Sequence, residues 1–373
     1  MAEPYAGRRE RLLQAAAEEG LQALVCCSSG VHSFIEMDPV WYTTGFKPLG
    51  PSGLVVAPDV DPVLHLQPSW DARRAEETSD VEVRPSADLF GALAKSLAAA
   101  GAPAAAIGVC GVEKLSRDDV RQLDATIGSG WRDFDEGARQ VGVRKDEHER
   151  ELVRRATWIA EEGYRHALEE LRPGMREHEL AGRLDVLMRE LGADDNFLIV
   201  SASQHNRSVH APGDRILAEG DILLAEISPS YQGAFAQICR TAVIGEISTT
   251  LSDGYALLRE AYQCGLRAAR PGATMGAVVE AVNEPIAAAG FDEFCRPPYM
   301  RTRGHGMGIG SPFPISVAAD SPIVLEEGMT FVLHPNQYLP PTGYLLCGDH
   351  VAVGAGGAEP LSARLARLDS VGA

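Results

Sequence analysis

Residues 220–241, GDILLAEISPSYQGAFAQICRT, constrain the fold of this chain more than any other stretch. Residues 222–227 form an apolar run broken by Glu226, residues 228–233 supply turn formers, and residues 236–244 are rich in strand formers. That pattern predicts a β-hairpin. A turn centred on Tyr231 and Gln232 sets Glu226 opposite Gln237, and such cross-strand partners share a face with Cβ atoms about 5 Å apart. A carboxylate in a buried strand is costly unless something pairs with it or uses it. The hairpin alone leaves both readings open, a partnered structural acid or part of a reaction site.

The 373 residues are enough for two domains, each with its own core. Up to residue 142, short apolar runs such as LQALVCC, VLHLQP and AAIGVCG alternate with helical stretches such as RRERLLQAAAEEG and DLFGALAKSLAAAG. That alternation predicts a three-layer α/β domain over 1–142. From residue 143 a long amphipathic helix opens a second domain, 143–373, with Leu152, Ala156, Ile159, Gly163 and Ala167 on one face. An internal repeat follows. Arg172-Pro173-Gly174 ends this helix and a second helix runs to Gly192; the sequence helix, Arg270-Pro271-Gly272, helix, Gly290 recurs with the same offset. Strand-like segments follow each copy, so the second domain reads as a duplicated ααβ unit packed about a pseudo-twofold axis, with a pocket between the halves.

A formal net charge of −18 argues against nucleic acid and anionic membrane as partners, because both select basic surfaces. No window approaches the roughly 18 apolar residues of a membrane span, and the first ten residues do not read as a signal peptide. Seven cysteines, odd in number and without metal-type spacing, fit free thiols in a reducing cytoplasm.

Polar residues interrupt apolar strands or sit among glycines at three further places. LIVSASQHNRSVHAPGDRIL carries His205 and His210, MRTRGHGMGIGSPFP carries His305, and MTFVLHPNQY ends at His334 and its neighbours. Each segment falls at a strand end or glycine-rich turn of the duplicated domain.

These residues resemble the pita-bread enzymes: creatinase, prolidase, aminopeptidase P and methionine aminopeptidase. Tyr42-Thr43-Thr44-Gly45-Phe46 is similar to a signature of the family's N-terminal domain, and RPGMREHEL, VHAPGDRILAEGDILLAE, YQGAFAQICRT, GHGMGIG and LEEGMTFVLHPNQY follow in family order. The resemblance implies an α/β N-terminal domain followed by an α+β pita-bread domain. It also implies a homodimer in which the N-terminal domain of one subunit reaches the other's site. Metal-dependent members hold two ions through Asp, Asp, His, Glu and Glu. Those positions here are Glu226, Gln237, His305, His334 and Gly348. An amide and a missing side chain stand where two bridging carboxylates belong, and neither neutralises a pair of divalent cations. A further histidine of the peptidases is replaced by Pro312.

The expectation is therefore a hydrolase without cofactor, close in logic to creatinase, that cleaves a C–N bond in a small polar non-peptide molecule. His210, which matches another active-site histidine of the family, shuttles the proton beside Glu226 and His305. Gln237 and His334 orient the substrate, Arg301 and Arg303 hold a substrate carboxylate, and Tyr231, Trp41, Tyr42 and Phe46 line or cap the pocket. Three alternatives stand beside it. One is a lyase on the same scaffold, and another an enzyme with one divalent metal on His305, His334 and Glu226. The third is an inactive module that binds a protein partner.

Overall fold

The computed structural model describes residues 4–307 and 317–372, in two compact units whose boundary falls between Val143 and Arg144. In the first unit the elements run α1 (Pro4–Glu18), β1 (Ala23–Ser28), α2 (Pro39–Thr44), β2 (Ser52–Val56), β3 (Val63–Leu66), α3 (Ala72–Thr78), β4 (Glu82–Pro85), α4 (Leu89–Ala100), β5 (Ile107–Cys110), α5 (Arg117–Ile127), β6 (Arg132–Asp133) and α6 (Asp135–Gly142). The sheet order is β4-β3-β2-β1-β5-β6. The central strand β1 is buried along its whole length, as its unbroken apolar sequence requires of a strand covered on both faces. Trp41, Tyr42 and Phe46 belong to this unit's interior. The Arg8 guanidinium lies over Trp41 and Tyr42, and that of Arg74 lies 4.5 Å from the Phe46 ring centre. All three aromatic residues are at most 1 % exposed, so they are packing residues of the N-terminal unit and offer no surface that could cap a pocket.

The second unit continues with α7 (Glu147–Glu170), α8 (Glu177–Glu190), β7 (Asp195–Ser203), β8 (Ile222–Tyr231), β9 (Ala234–Phe235), β10 (Ile238–Ile244), α9 (Thr249–Ala268), α10 (Met275–Ile286), β11 (Gly304–His305), β12 (Thr330–Leu333), β13 (Gln337–Leu339), β14 (Gly343–Leu345), β15 (Gly348–Gly354), β16 (Gly357–Pro360) and β17 (Leu368–Val371). The duplication is visible in the backbone. Gly174 and Gly272, and again Gly192 and Gly290, all adopt positive φ at equivalent places. After each first helix a single bridge pairs the equivalent residues Arg176 and Thr274 with Ile216 and Val324.

The main sheet runs β11-β12-β15-β10-β8-β7, and its helices lie on one face. Leu223, Ala225, Ile227, Ile238, Ala242 and Ile244 pack with α7 and α8 in one core cluster. In the other half, a Cβ added at Gly265 of α9 would touch Leu333, which places Leu333 on the helix side too. Because strand side chains alternate, Glu226, Cys239, Val332, His350 and their same-parity neighbours all face the other way.

Arg240 and Asp349 join the two halves on the helix side. Arg240 Nη2 donates to Asp349 Oδ1 at 2.7 Å and Nη1 donates to the Gly348 carbonyl at 2.7 Å. Both side chains are almost fully buried. Removing one member of such a pair strands a buried charge, at a cost of about 3–5 kcal/mol. Asp349→Ala is therefore expected to lower the free energy of urea unfolding by about that much, and the double variant Arg240→Met/Asp349→Leu to recover most of the loss. A single variant as stable as the wild type would show that the pair does not hold the halves together.

Candidate active site

The hairpin that organises the site turns one residue later than its sequence suggests. Its central residues are Gln232 and Gly233, with φ of 48° and 84°. Positive φ at both positions gives the two-residue turn whose twist matches antiparallel strands. Glu226 consequently pairs with Cys239. Gln237 lies just before β10, where its side-chain oxygen accepts from Ser228 Oγ at 3.3 Å. Moving a turn by one residue moves each partner by two, so Gln237 keeps the face that it shares with Glu226. Tyr231 has the opposite parity. Its ring packs with the helix-side core and lies 5.7 Å from the Arg155 guanidinium, so it does not line the site.

On the face turned away from these helices, register brings four strands together. His305 pairs with Val332 and Val332 with His350, while Cys239 pairs with Gly348. The His305 and His334 rings meet edge to face, 5.4 Å between centres. His305 Nδ1 lies 3.0 Å from the Gly306 carbonyl. A carbonyl can only accept, so the neutral ring carries its proton on Nδ1 and leaves Nε2 as an acceptor.

Glu226 is held by a residue that sequence inspection did not single out. Asn336 Nδ2 donates to Glu226 Oε1 at 3.0 Å and lies 3.8 Å from Cys239 Sγ. Its own Oδ1 accepts from the Cys347 amide at 3.0 Å. Arg303, expected to hold a substrate carboxylate, is instead 1 % exposed. Its guanidinium donates to Asn283 Oδ1, to the Asn336 carbonyl and to Gln337 Oε1, and its carbonyl accepts from the His334 amide. It is a buried clamp on the His334–Gln337 segment, each of its three nitrogens already donating to a protein oxygen. Arg301 is exposed. His210, the expected proton shuttle, is exposed on the 204–221 connection. Its one hydrogen bond among the described residues is between Nδ1 and the Ala211 carbonyl, at 2.8 Å. It is not gathered with Glu226 by any described contact. Pro312 lies outside the described residues.

The electrostatics are those of a poorly solvated, nearly uncharged site. Burial pushes the Glu226 carboxyl up to about 7, because the anion loses water and gains no cation. Burial, and then the neighbouring His305, push His334 down to about 3. Burial also lowers His305. The Cys239 thiol is raised, first by burial and then by the Glu226 charge, so it is a protonated bystander at neutral pH.

The residues matched over 151–359 are those of metallopeptidase family M24. This chain belongs to that family. It is 24 % identical to the Xaa-Pro dipeptidase of Pyrococcus furiosus over 329 residues, covering 87 % of this chain and 90 % of that one. It is 26 % identical over 221 residues to a Bacillus subtilis protein named uncharacterized peptidase YqhT, covering 58 % of this chain and 62 % of that one. The match thus spans a little under two thirds of YqhT. Among solved structures, an X-Pro aminopeptidase from Thermotoga maritima superposes with a TM-score of 0.83 over 96 % of this chain and 100 % of that chain, at 22 % identity. The fold is accordingly the α/β N-terminal domain plus α+β pita-bread domain.

Membership corrects several expectations. A cofactor-free, creatinase-like hydrolase of non-peptide C–N bonds does not agree with a family defined as metallopeptidases, whose relatives bear dipeptidase names. The family implies divalent metal. The described residues, however, do not fit the two-ion set. Gln237 is an amide bonded to Ser228. At Gly348 an added Cβ would stand 2.5 Å from His334 Cβ and 2.5 Å from the Leu333 carbonyl oxygen, so this backbone has no room for a carboxylate there. No three His, Cys, Asp or Glu side chains are grouped to hold an ion among the described residues, and the combination of Glu226, His305 and His334 is included in that statement.

Two outcomes follow. Gly348→Ala, and more so Gly348→Glu, is expected to destabilise the fold by about 1–3 kcal/mol or more through overpacking against His334; equal melting of Gly348→Ala and wild type would show that the crowding is absent. Glu226 has a raised folded pKa, so its protonated form is the stabilised one. Its contribution is present below about pH 4.5 and is lost as pH rises through about 7. Glu226→Gln is therefore expected to be more stable than wild type at pH 8, by about 1–3 kcal/mol, with the difference vanishing near pH 4. A difference independent of pH would mean that the carboxyl titrates normally.

Proposed function

We propose that this chain hydrolyses short peptides, Xaa-Pro dipeptides among them, at the sheet face that carries Glu226. The observation that carries the reading is the Glu226 carboxyl itself. Within a peptidase-family domain, a carboxyl poised near neutrality is anchored through one oxygen by Asn336. Peptide hydrolysis needs a group that removes a proton from water and returns one to the departing amine, and a pKa near the working pH serves both directions. Glu226 takes the proton as the water oxygen bonds to the peptide carbon. It delivers that proton to the nitrogen as the C–N bond breaks. Asn336 keeps the carboxyl in one orientation throughout. The His305 and His334 rings, which meet edge to face, border the bound peptide. No step is routed through a metal, since the described residues do not assemble its ligands.

The homodimer implied by family resemblance, with an N-terminal domain reaching the neighbouring subunit's site, is carried as part of this reading. So is a reducing cytoplasmic setting, which fits the seven free cysteines. No helix among the described residues is long and apolar enough to cross a membrane.

The test is release of free amino acids from Leu-Pro, Ala-Pro and Gly-Pro, and from non-prolyl dipeptides, by protein as purified, after chelation, and after addition of Mn²⁺, Co²⁺ or Zn²⁺. Proline release is expected, and Glu226→Gln is expected to reduce kcat about 10²–10⁴-fold while the fold is kept. Absence of hydrolysis of every peptide in all three metal states would sink the reading.

A further inference from the structure

Two side-chain amides converge on one sulfur atom of the Glu226 face, and one of them has an N–H left to give. Gln237 Nε2 donates to Cys239 Sγ at 3.4 Å, and Asn336 Nδ2 lies 3.8 Å from the same sulfur. Asn336 Nδ2 also donates to Glu226 Oε1 at 3.0 Å, so both of its N–H groups are engaged. Gln237 is held from its other end, where Oε1 accepts from Ser228 Oγ at 3.3 Å. The second N–H of Gln237 Nε2 meets no acceptor among the described residues. The residue is 1 % exposed. A buried donor left unmet is costly, and the thiol that takes the first N–H is itself a weak acceptor. Native interiors rarely leave such a group unless something else completes it.

We propose that Gln237 is a catalytic residue, the hydrogen-bond donor to the oxyanion that forms when water adds to the peptide carbonyl beside Glu226. The inference rests on the peptide reading for the reaction, and on these contacts for the place of the donor. They run without a gap from Ser228 through Gln237, Cys239 and Asn336 to Glu226. Glu226 and Cys239 are also direct cross-strand partners, a relation that sets Cβ atoms about 5 Å apart. Donor and acid thus flank a single sulfur atom.

The step balances without a further reactant. As the water oxygen bonds to the carbon, its proton passes to Glu226 and the carbonyl π pair moves onto the carbonyl oxygen, which becomes negative. The Gln237 N–H meets that oxygen. When the pair returns, the C–N bond breaks, its electrons stay on nitrogen, and Glu226 gives the proton to that nitrogen. A donor fixed before the charge appears stabilises the transition state more than the neutral carbonyl. An amide suits the place, because it offers hydrogen to an anion and has no charge that would pair with Glu226. By resemblance this position holds a bridging acid in metal-dependent members. Here the side chain that cannot bridge two ions offers a hydrogen-bond donor instead.

The test uses the full chain labelled with ¹⁵N in its glutamine side chains, the dipeptide Leu-Pro, and dimethylphosphinate, a stable tetrahedral oxyanion. Dimethyl sulfone has the same shape without the charge. Gln237→Met keeps length and removes both N–H groups, and Gln237→Glu keeps shape with oxygen in place of nitrogen. Absence of one amide signal in either variant assigns Gln237. Both substitutions are expected to lower kcat for Leu-Pro about 10²–10³-fold, with KM changed by less than about threefold. That split separates a transition-state donor from a residue that packs or binds the ground state. Dimethylphosphinate is expected to shift the Gln237 nitrogen saturably, and dimethyl sulfone to bind about tenfold more weakly.

A kcat near that of wild type in either variant would overturn the role, and so would a raised KM at unchanged kcat. A Gln237 signal unmoved by dimethylphosphinate up to its solubility limit would overturn it as well. Where one variant fails to fold, the other and the labelled wild type carry the test. Failure of the two readings separates cleanly. Leu-Pro hydrolysis that survives Gln237→Met keeps the peptide and removes the donor. A Gln237 signal that answers dimethylphosphinate in a protein that hydrolyses no peptide keeps the oxyanion donor and removes the peptide.

Discussion

Strand parity is the constraint on which the second unit depends. Helices α7, α8 and α9 stack on one face of the second unit's main sheet, and each strand must present apolar residues to them at every second position. The alternate positions are then released from core packing, and every polar residue of interest stands on one of them: Glu226, Ser228, Gln237, Cys239, His334 and His350. A one-residue slip in any strand would drive these groups into the helix interface, where burial without partners is costly. The Gln232-Gly233 turn fixes that parity for β8 and β10, because its two positive φ values are accessible at little cost to glycine and tolerable for few other residues. On the helix face the Arg240–Asp349 pair performs the matching task between β10 and β15.

Much of this was legible in the sequence, and the reason is periodicity. The apolar run Ile222–Ile227 broken by Glu226, and the paired Arg-Pro-Gly landmarks, are local patterns whose physical consequences do not depend on distant parts of the chain. The pairing of Glu226 was misread by two residues because the turn centre is chosen by φ preferences at Gln232 and Gly233, while Tyr231 and Gln232 look equally plausible by composition. The face assignment survived, since a two-residue error preserves parity. Tyr231 was lost for the same reason, its parity being that of the core.

Long-range partners were the part that could not be read. Arg303 looks like an anion-binding residue from its place two positions before His305. It is consumed by Asn283, Asn336 and Gln337, which lie far from it in sequence. Asn336 sits two residues beyond His334 in a motif that the histidine dominates, and its bond to Glu226 spans 110 positions. His350 had one usable signal: it stands two positions after Gly348, so strand periodicity places it on the same face as the missing acid. Trp41, Tyr42 and Phe46 read as a pocket cap through resemblance alone. Their burial under Arg8 and Arg74 depends on the tertiary packing of α1 and α3.

The contacts of Asn336 also explain why Glu226 can stay near neutrality without collapsing the site around it. A carboxyl with a cation beside it would ionise, and one with no partner would rotate toward solvent. Asn336 supplies neither charge nor freedom: its amide fills one lone pair of Oε1 and leaves the protonation state to desolvation, which is the sole cause of the Glu226 shift. The amide is in turn fixed by the Cys347 N–H, and its backbone by the Arg303 guanidinium. The guanidinium charge is thus spent on carbonyl oxygens that orient Asn336 instead of acting on the acid. A neutral positioning residue backed by a charged clamp keeps the acid titratable. Replacing the amide by a lysine at that place would keep a hydrogen bond but remove the near-neutral pKa that the proposed proton transfer in both directions requires.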